Sequence, residues 1–221
     1  MKAKWFILAF AASVIAAAAT QVSLASLGGT REDAKPLQES RSDDSRLFLS
    51  TEQSERAAAE RLVPDGTRSV LNLRKRLRYG QFVWDDKDVG EGPLSIHVDL
   101  DHQLISAFRG GHEVGTAVIL YGGQGHDTPL GRFPVLAKLE RHRSATYDAP
   151  MPFTLRLTGD GVAIHGSDVR WGTATHGCIG VPLEFARRLF AEASVGDKVE
   201  IVGGEETRRP SPNGRALSTI S

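Results

Sequence analysis

The stretch LSIHVDLDHQLISAFRGGH, Leu94 to His112, decides the fold. Leu94, Ile96, Val98 and Leu100 alternate with Ser95, His97 and Asp99, the two-residue period of a strand with one buried face. A second apolar run, Leu104 to Phe108, follows at once, and Arg109-Gly110-Gly111-His112 then supplies the glycines of a tight hairpin turn. Toward the C-terminus the rhythm recurs at Thr116 to Tyr121, Phe133 to Glu140, Thr154 to Leu157, Val162 to His165 and Lys198 to Val202. Gly122-Gly123-Gln124-Gly125 and Gly159-Asp160-Gly161 read as further turns. Leu183 to Ala193, entered through Pro182, reads as a helix. Many short strands with one or two short helices predict a mainly β, β-sandwich-like domain over residues 93–203, long enough for one core.

On the N-terminal side the composition changes. Residues 1–27 read as a signal peptide or signal anchor: Lys2 and Lys4 precede an uncharged apolar run, Trp5 to Ala19. That run is shorter than the roughly 20 residues of a spanning helix, and Ala17-Ala18-Ala19 or Ser23-Leu24-Ala25 offers small residues for cleavage. Export to the periplasm or cell envelope is expected, with a membrane tether through the N-terminus where cleavage does not occur. Residues 28–50 are poor in large apolar side chains and read as a disordered linker. Residues 51–92 read as a short helical or irregular segment. Ser50 caps a helix over Thr51 to Leu62, stopped by Pro64-Asp65-Gly66, and Val70, Leu71, Leu73 and Leu77 suggest a second over Ser69 to Leu77. Residues 204–221 read as a disordered tail.

The chemistry concentrates at Thr175-His176-Gly177-Cys178, which holds the single cysteine of the chain. A lone thiol has no internal disulfide partner. A free cysteine titrates near pH ~8.5, so at neutrality it needs a base to become a nucleophile. Imidazole, titrating near pH ~6.5, takes and returns that proton, and either His165 or His176 meets the need.

Thr175-His176-Gly177-Cys178-Ile179 resembles the [Ser/Thr]-His-Gly-Cys signature of the L,D-transpeptidases, the YkuD-type peptidoglycan enzymes. Thr128-Pro129-Leu130-Gly131-Arg132-Phe133 resembles the family's Thr-Pro-x-Gly-x-Phe turn. Ala149-Pro150-Met151-Pro152-Phe153, followed by Gly161-Val162-Ala163-Ile164-His165, resembles its approach to the catalytic histidine. The likeness runs from about Pro93 to Val202. It implies that Cys178 is the acylated nucleophile and His165 the general base, oriented by the carbonyl of Gly166. His176 would line the site, and the N–H groups of Cys178 and Gly177 would form the oxyanion hole. Trp171, Met151, Phe153, Tyr147 and Arg170 are the expected substrate contacts. Where many members carry an arginine or asparagine after His-Gly-Cys-Ile, this chain has Gly180.

The implied reaction joins donor and acceptor stem peptides of peptidoglycan through a Cys178 thioester, with no cofactor. The alternatives are a non-catalytic peptidoglycan-binding protein on the same fold, or an L,D-carboxypeptidase or amino-acid exchange activity. With 27 basic and 27 acidic residues there is no general positive field, and nucleic acid is not expected as a partner. Arg74, Lys75, Arg76 and Arg78 form a local basic run, read as a solvated face. His165, His176 and Cys178 are of metal-ligand type, yet no fourth ligand stands at a recognisable spacing, and no metal is expected. The oligomeric state has no signature in the sequence.

Overall fold

A computed structural model describes residues 45–123, 125–144 and 146–203. Along them run β1 (Arg46–Phe48), α1 (Thr51–Ala59), β2 (Ser69–Leu71), β3 (Phe82–Trp84), β4 (Leu94–Asp99), β5 (Leu104–Arg109) and β6 (His112–Val118). There follow β7 (Gly131–Pro134), β8 (Ala137–Arg143), β9 (Pro150–Arg156), β10 (Ala163–Ser167), β11 (Ile179–Pro182), α2 (Leu183–Glu192) and β12 (Lys198–Val202).

The Leu94–His112 stretch is the hairpin it promises. Arg109 pairs with His112 across the turn, and Gly110 and Gly111 take φ of +57° and +86°, as a two-residue primed turn requires. Built on this hairpin, the larger sheet has the order β1-β2-β6-β5-β4-β12-β7, with β3 also on β6. A second sheet has the order β11-β10-β9-β8. The two meet where Leu120 pairs with Gly180 and Gly122 with Thr175.

One core lies between them. It takes Ile96, Val98, Ile105, Ala107, Val199 and Ile201 from the larger sheet, Leu155, Ile164, Ile179 and Val181 from the smaller, and Phe185, Ala186 and Leu189 from α2. Phe185 is wholly buried and meets Phe82 and Trp84 edge-on, with ring centroids 6.0 and 5.5 Å away. Burying such a ring contributes roughly 2–3 kcal/mol. Trp84 fits because Gly115 lies beneath it: a Cβ there would stand 2.3 Å from the indole. The mainly β, sandwich-like fold with two short helices is the expected one.

Four local readings are corrected. Arg46–Phe48, given to the linker by composition, form β1, because the Arg46 guanidinium is buried as a hydrogen-bond hub. Ser69–Leu71 form a strand instead of a helix, since pairing with β1 overrides a weak apolar spacing. Residues 51–92 are therefore joined to the following domain, because β2 and β3 both pair with β6. The expected strand over Phe133 to Glu140 is two strands in different sheets, β7 and β8, separated at Val135-Leu136. The helix after Ser50 is present with its capping box to Gln53. The described helices include none long and apolar enough to cross a membrane. The expected signal, most of the linker and the tail lie outside the described residues.

Candidate active site

Two parallel neighbours position the chemistry. β10 carries His165, and β11 begins one residue after Cys178; their register pairs Ile164 with Ile179 and His165 with Gly180. Cys178 is thus held two residues before the rung that His165 occupies. Between Cys178 and α2 lies β11, whose pairing with β10 fixes the end of the loop.

The His165 ring is 8% exposed, and its Nδ1 lies 3.0 Å from the Gly166 carbonyl. A carbonyl only accepts, so Nδ1 carries the proton and Nε2 keeps its lone pair. Burial holds this imidazole below its ordinary range, the Gly166 bond opposes that, and His142 lowers it further. A Cβ at Gly166 would meet Leu183 Cδ1 at 2.9 Å and Pro152 Cγ at 3.1 Å, so a larger residue there must displace at least the exposed Leu183 side chain.

The Cys178 thiol is half-buried and donates to the Gly161 carbonyl at 3.7 Å. Burial raises it above the usual thiol range, and the backbone of Ala163 partly offsets this. Among the described residues no hydrogen bond links the sulfur to His165. Both shifts favour the uncharged forms, so a thiolate at Cys178 requires the proton to be drawn off.

The turn before Cys178 is braced from two sides. Gly177 takes φ +100°, a left-handed conformation suited to glycine. The Thr175 hydroxyl donates to the Cys178 carbonyl. The buried Thr128 hydroxyl accepts from the Gly122 N–H at 2.9 Å and donates to the Gly177 carbonyl at 3.1 Å. Sequence reasoning quoted Thr128 only as part of a motif. Its signal was a hydroxyl preceding a proline in a loop, and its partner 49 residues away has no local signature.

Beside Gly177, His176 is exposed and stacks on Tyr147, with centroids 4.0 Å apart and planes 16° apart. His126, not foreseen, meets the same ring edge-on at 4.9 Å. Trp171 is 79% exposed and touches Tyr79 edge-on at 5.5 Å. Arg170 is exposed and paired with Asp168 at 2.6 Å. Two expected contacts are packed instead: Met151 is buried, and Phe153 lies against Phe190 of α2 at 5.8 Å. Phe153 does so at φ +56°, which turns the ring out of strand alternation. Among the described residues no group of three or more His, Cys, Asp and Glu side chains is arranged to hold a metal ion.

Gly180 sits in the ladder between the two sheets, exchanging both backbone bonds with Leu120 at 2.8 and 2.9 Å. A Cβ would lie 3.0 Å from that of Ser167 and 3.4 Å from that of Leu120. A side chain here needs Ser167 or Leu120 to yield by a few tenths of an ångström.

A search among curated proteins found no match. Among solved structures, an L,D-transpeptidase from Stackebrandtia nassauensis is 22% identical with a TM-score of 0.48, over 52% of this chain and 57% of that one. One from Mycobacterium smegmatis is 22% identical with a TM-score of 0.46, over 50% and 58%. One from Enterococcus faecium is 26% identical with a TM-score of 0.45, over 51% and 50%. The chain thus spans between half and three-fifths of the length of these relatives. Residues 93–201, which carry β4 through β12 with His165, Thr128 and Cys178, match and belong to the YkuD family, the L,D-transpeptidase catalytic domain.

Proposed function

We propose that the chain is an exported peptidoglycan L,D-transpeptidase that works through a Cys178 thioester. The observation that carries this is the parallel register of β10 and β11, which sets the loop end carrying Cys178 next to the strand that carries a singly oriented His165 imidazole. His165 Nε2 takes the thiol proton as the sulfur attacks the carbonyl at the L-centre of the donor's diamino acid. The oxyanion gathers on the N–H groups of Cys178 and Gly177, where one such donor typically contributes ~2.7–4 kcal/mol. The terminal D-alanine leaves as an amine, taking the proton from His165. An acceptor amine on a second stem then gives its proton to His165, attacks the thioester, and releases the cross-linked product and the free thiol. The Tyr147–His176 stack flanks the entrance, and Trp171 and Arg170 stand on the loop between the two strands.

The test is to incubate the full chain with a tetrapeptide donor, or a carbapenem, and weigh the protein. The expected adduct maps to Cys178, is absent in Cys178→Ala, and forms roughly 10²–10⁴ times more slowly in His165→Ala. Turnover retained by Cys178→Ala would refute the mechanism. A thiol that alkylates freely yet never acquires an adduct would instead identify a wall-binding protein. Product masses assign water or a free D-amino acid as acceptor, the carboxypeptidase and exchange reactions.

A further inference from the structure

The basic run read as a solvated face is followed directly by Tyr79 and Gly80, which lie against the loop that leads to Cys178. Lys75, Arg76 and Arg78 are all exposed. Among the described residues they have no acidic partner, whereas exposed Arg132, Arg143, Arg170 and Arg187 each have one, with Glu200, Asp148, Asp168 and Glu184. The run ends in a fixed turn: the Arg78 N–H donates to Gln81 Oε1 at 2.9 Å, and the Gln81 N–H to the Arg78 carbonyl at 2.9 Å. Tyr79 within that turn is locked by its hydroxyl to Gln103 Oε1 at 2.7 Å and presents its ring to Trp171. Gly80 approaches the Val169 carbonyl, where a Cβ would stand at 3.4 Å.

Three exposed cations with no acidic partner among the described residues therefore precede, by one to four residues, a tyrosine that contacts a tryptophan 79% exposed on the strand-connecting loop of the site. Cations of this kind attract carboxylates, and a held, exposed indole offers an apolar face to a sugar ring or peptide.

We infer that Lys75, Arg76 and Arg78, with Trp171, form a docking surface for an acidic glycopeptide polymer, a glycan strand carrying carboxylate-bearing stem peptides. This rests on the proposed reaction and names how its polymeric substrate is held beyond the bond that reacts. The charged rim engages carboxylates along the strand, the indole packs on its apolar faces, and Tyr79 fixes the distance between the two.

The experiment compares the full chain with the variant Lys75→Gln/Arg76→Gln/Arg78→Gln in cosedimentation with insoluble peptidoglycan. Acylation of Cys178 by a small soluble tetrapeptide is measured beside it. Binding to polymer is expected to weaken about tenfold in the variant, roughly the loss of three exposed ion pairs. Wild-type binding is expected to fall as salt rises from about 0.1 M to about 1 M, and on polymer whose carboxyls have been amidated. Acylation by the small donor is expected to be unchanged. Equal sedimentation of variant and wild type overturns the inference, as does undiminished binding to amidated polymer. A loss confined to phosphatidylglycerol vesicles, with polymer binding intact, overturns it in favour of a membrane surface. If no donor acylates Cys178 while the sedimentation difference appears, the docking surface stands and the proposed reaction falls.

Discussion

The Thr128 hydroxyl, on the loop before β7, reaches across to the Gly177 carbonyl at 3.1 Å and so holds the peptide that precedes Cys178. It also receives the Gly122 N–H at 2.9 Å, so one buried side chain ties two loops together. Thr128→Val keeps the shape and removes both bonds, leaving a buried donor and acceptor unpaired at about 1–3 kcal/mol each. Acylation of Cys178 should slow roughly 10–100-fold, with little change in donor affinity, because the oxyanion donors move while the groove does not. Thr128→Ser should restore most of the rate. Single-turnover mass spectrometry across donor concentrations separates the two effects, and a loss confined to affinity would remove Thr128 from the positioning of the turn.

The pH dependence follows from the two shifts at Cys178 and His165. Burial raises the Cys178 thiol and lowers the His165 imidazole, so neither is charged near neutrality. Alkylation by iodoacetamide follows the thiolate, and its rate should climb through and beyond the usual thiol range near pH ~8.5 without a plateau at acid pH. Enzymatic acylation needs the neutral ring, so its acid limb should lie below the ordinary histidine value of about 6.5. The sign for stability is the same: a histidine with a depressed folded value stabilises less as pH falls below about 6.5, because the unfolded chain binds the proton more readily. A plateau of alkylation in acid would reveal a preformed thiolate–imidazolium pair instead.

Gly180 stands where the resemblance leads to an arginine or asparagine, and a Cβ there would crowd Ser167 and Leu120. Gly180→Ala should cost about 1–3 kcal/mol through overpacking between the sheets. Gly180→Arg should lose stability further and gain no donor affinity, since its side chain must first part Ser167 from Leu120. Thermal melts beside acylation kinetics check both; a stable arginine variant with tighter donor binding would show that the space opens.

The alternation in Leu94–His112 was legible because apolar and polar side chains take turns along each strand and a glycine pair makes the turn, both local properties, although His97 and Asp99 on the polar side of β4 are buried as well. That the His165 strand and the end of the Cys178 loop fall next to each other was legible through a motif whose spacing is short. β11 was not, for Ile179-Gly180-Val181-Pro182 is four residues long and buried on every side, so no alternation marks it. β1 and β2 escaped for a similar reason: three residues cannot display a period, and their pairing partner is set by tertiary contact. Met151 and Phe153 were placed near substrate because they precede His165 in the motif. The left-handed Phe153 that turns its ring toward α2 is a backbone property that no side-chain pattern announces.

Arg46 tests the clearest of these misses. Its guanidinium donates to the Glu113 carbonyl at 2.6 Å, the Asp85 carbonyl at 2.7 Å and Ser69 Oγ at 3.2 Å, joining β1 to β2, β6 and the end of β3. Arg46→Met fills the volume and leaves two carbonyls unpaired, which should cost about 2–4 kcal/mol in urea denaturation. The Glu113 carboxyl lies nearby, raised by burial and held down by the Ser106 hydroxyl, the Leu71 N–H and Arg46. Without Arg46 it rises further. A carboxyl raised in the folded state opposes folding increasingly as pH climbs from about 4.3, its unfolded value, through the folded one. The Arg46→Met deficit should therefore be larger near neutral pH than in mild acid, and adding Glu113→Gln should recover the pH-dependent part alone. A deficit independent of pH would mean that Arg46 acts only through its carbonyl bonds. No deficit at all would return residues 46–48 to the linker.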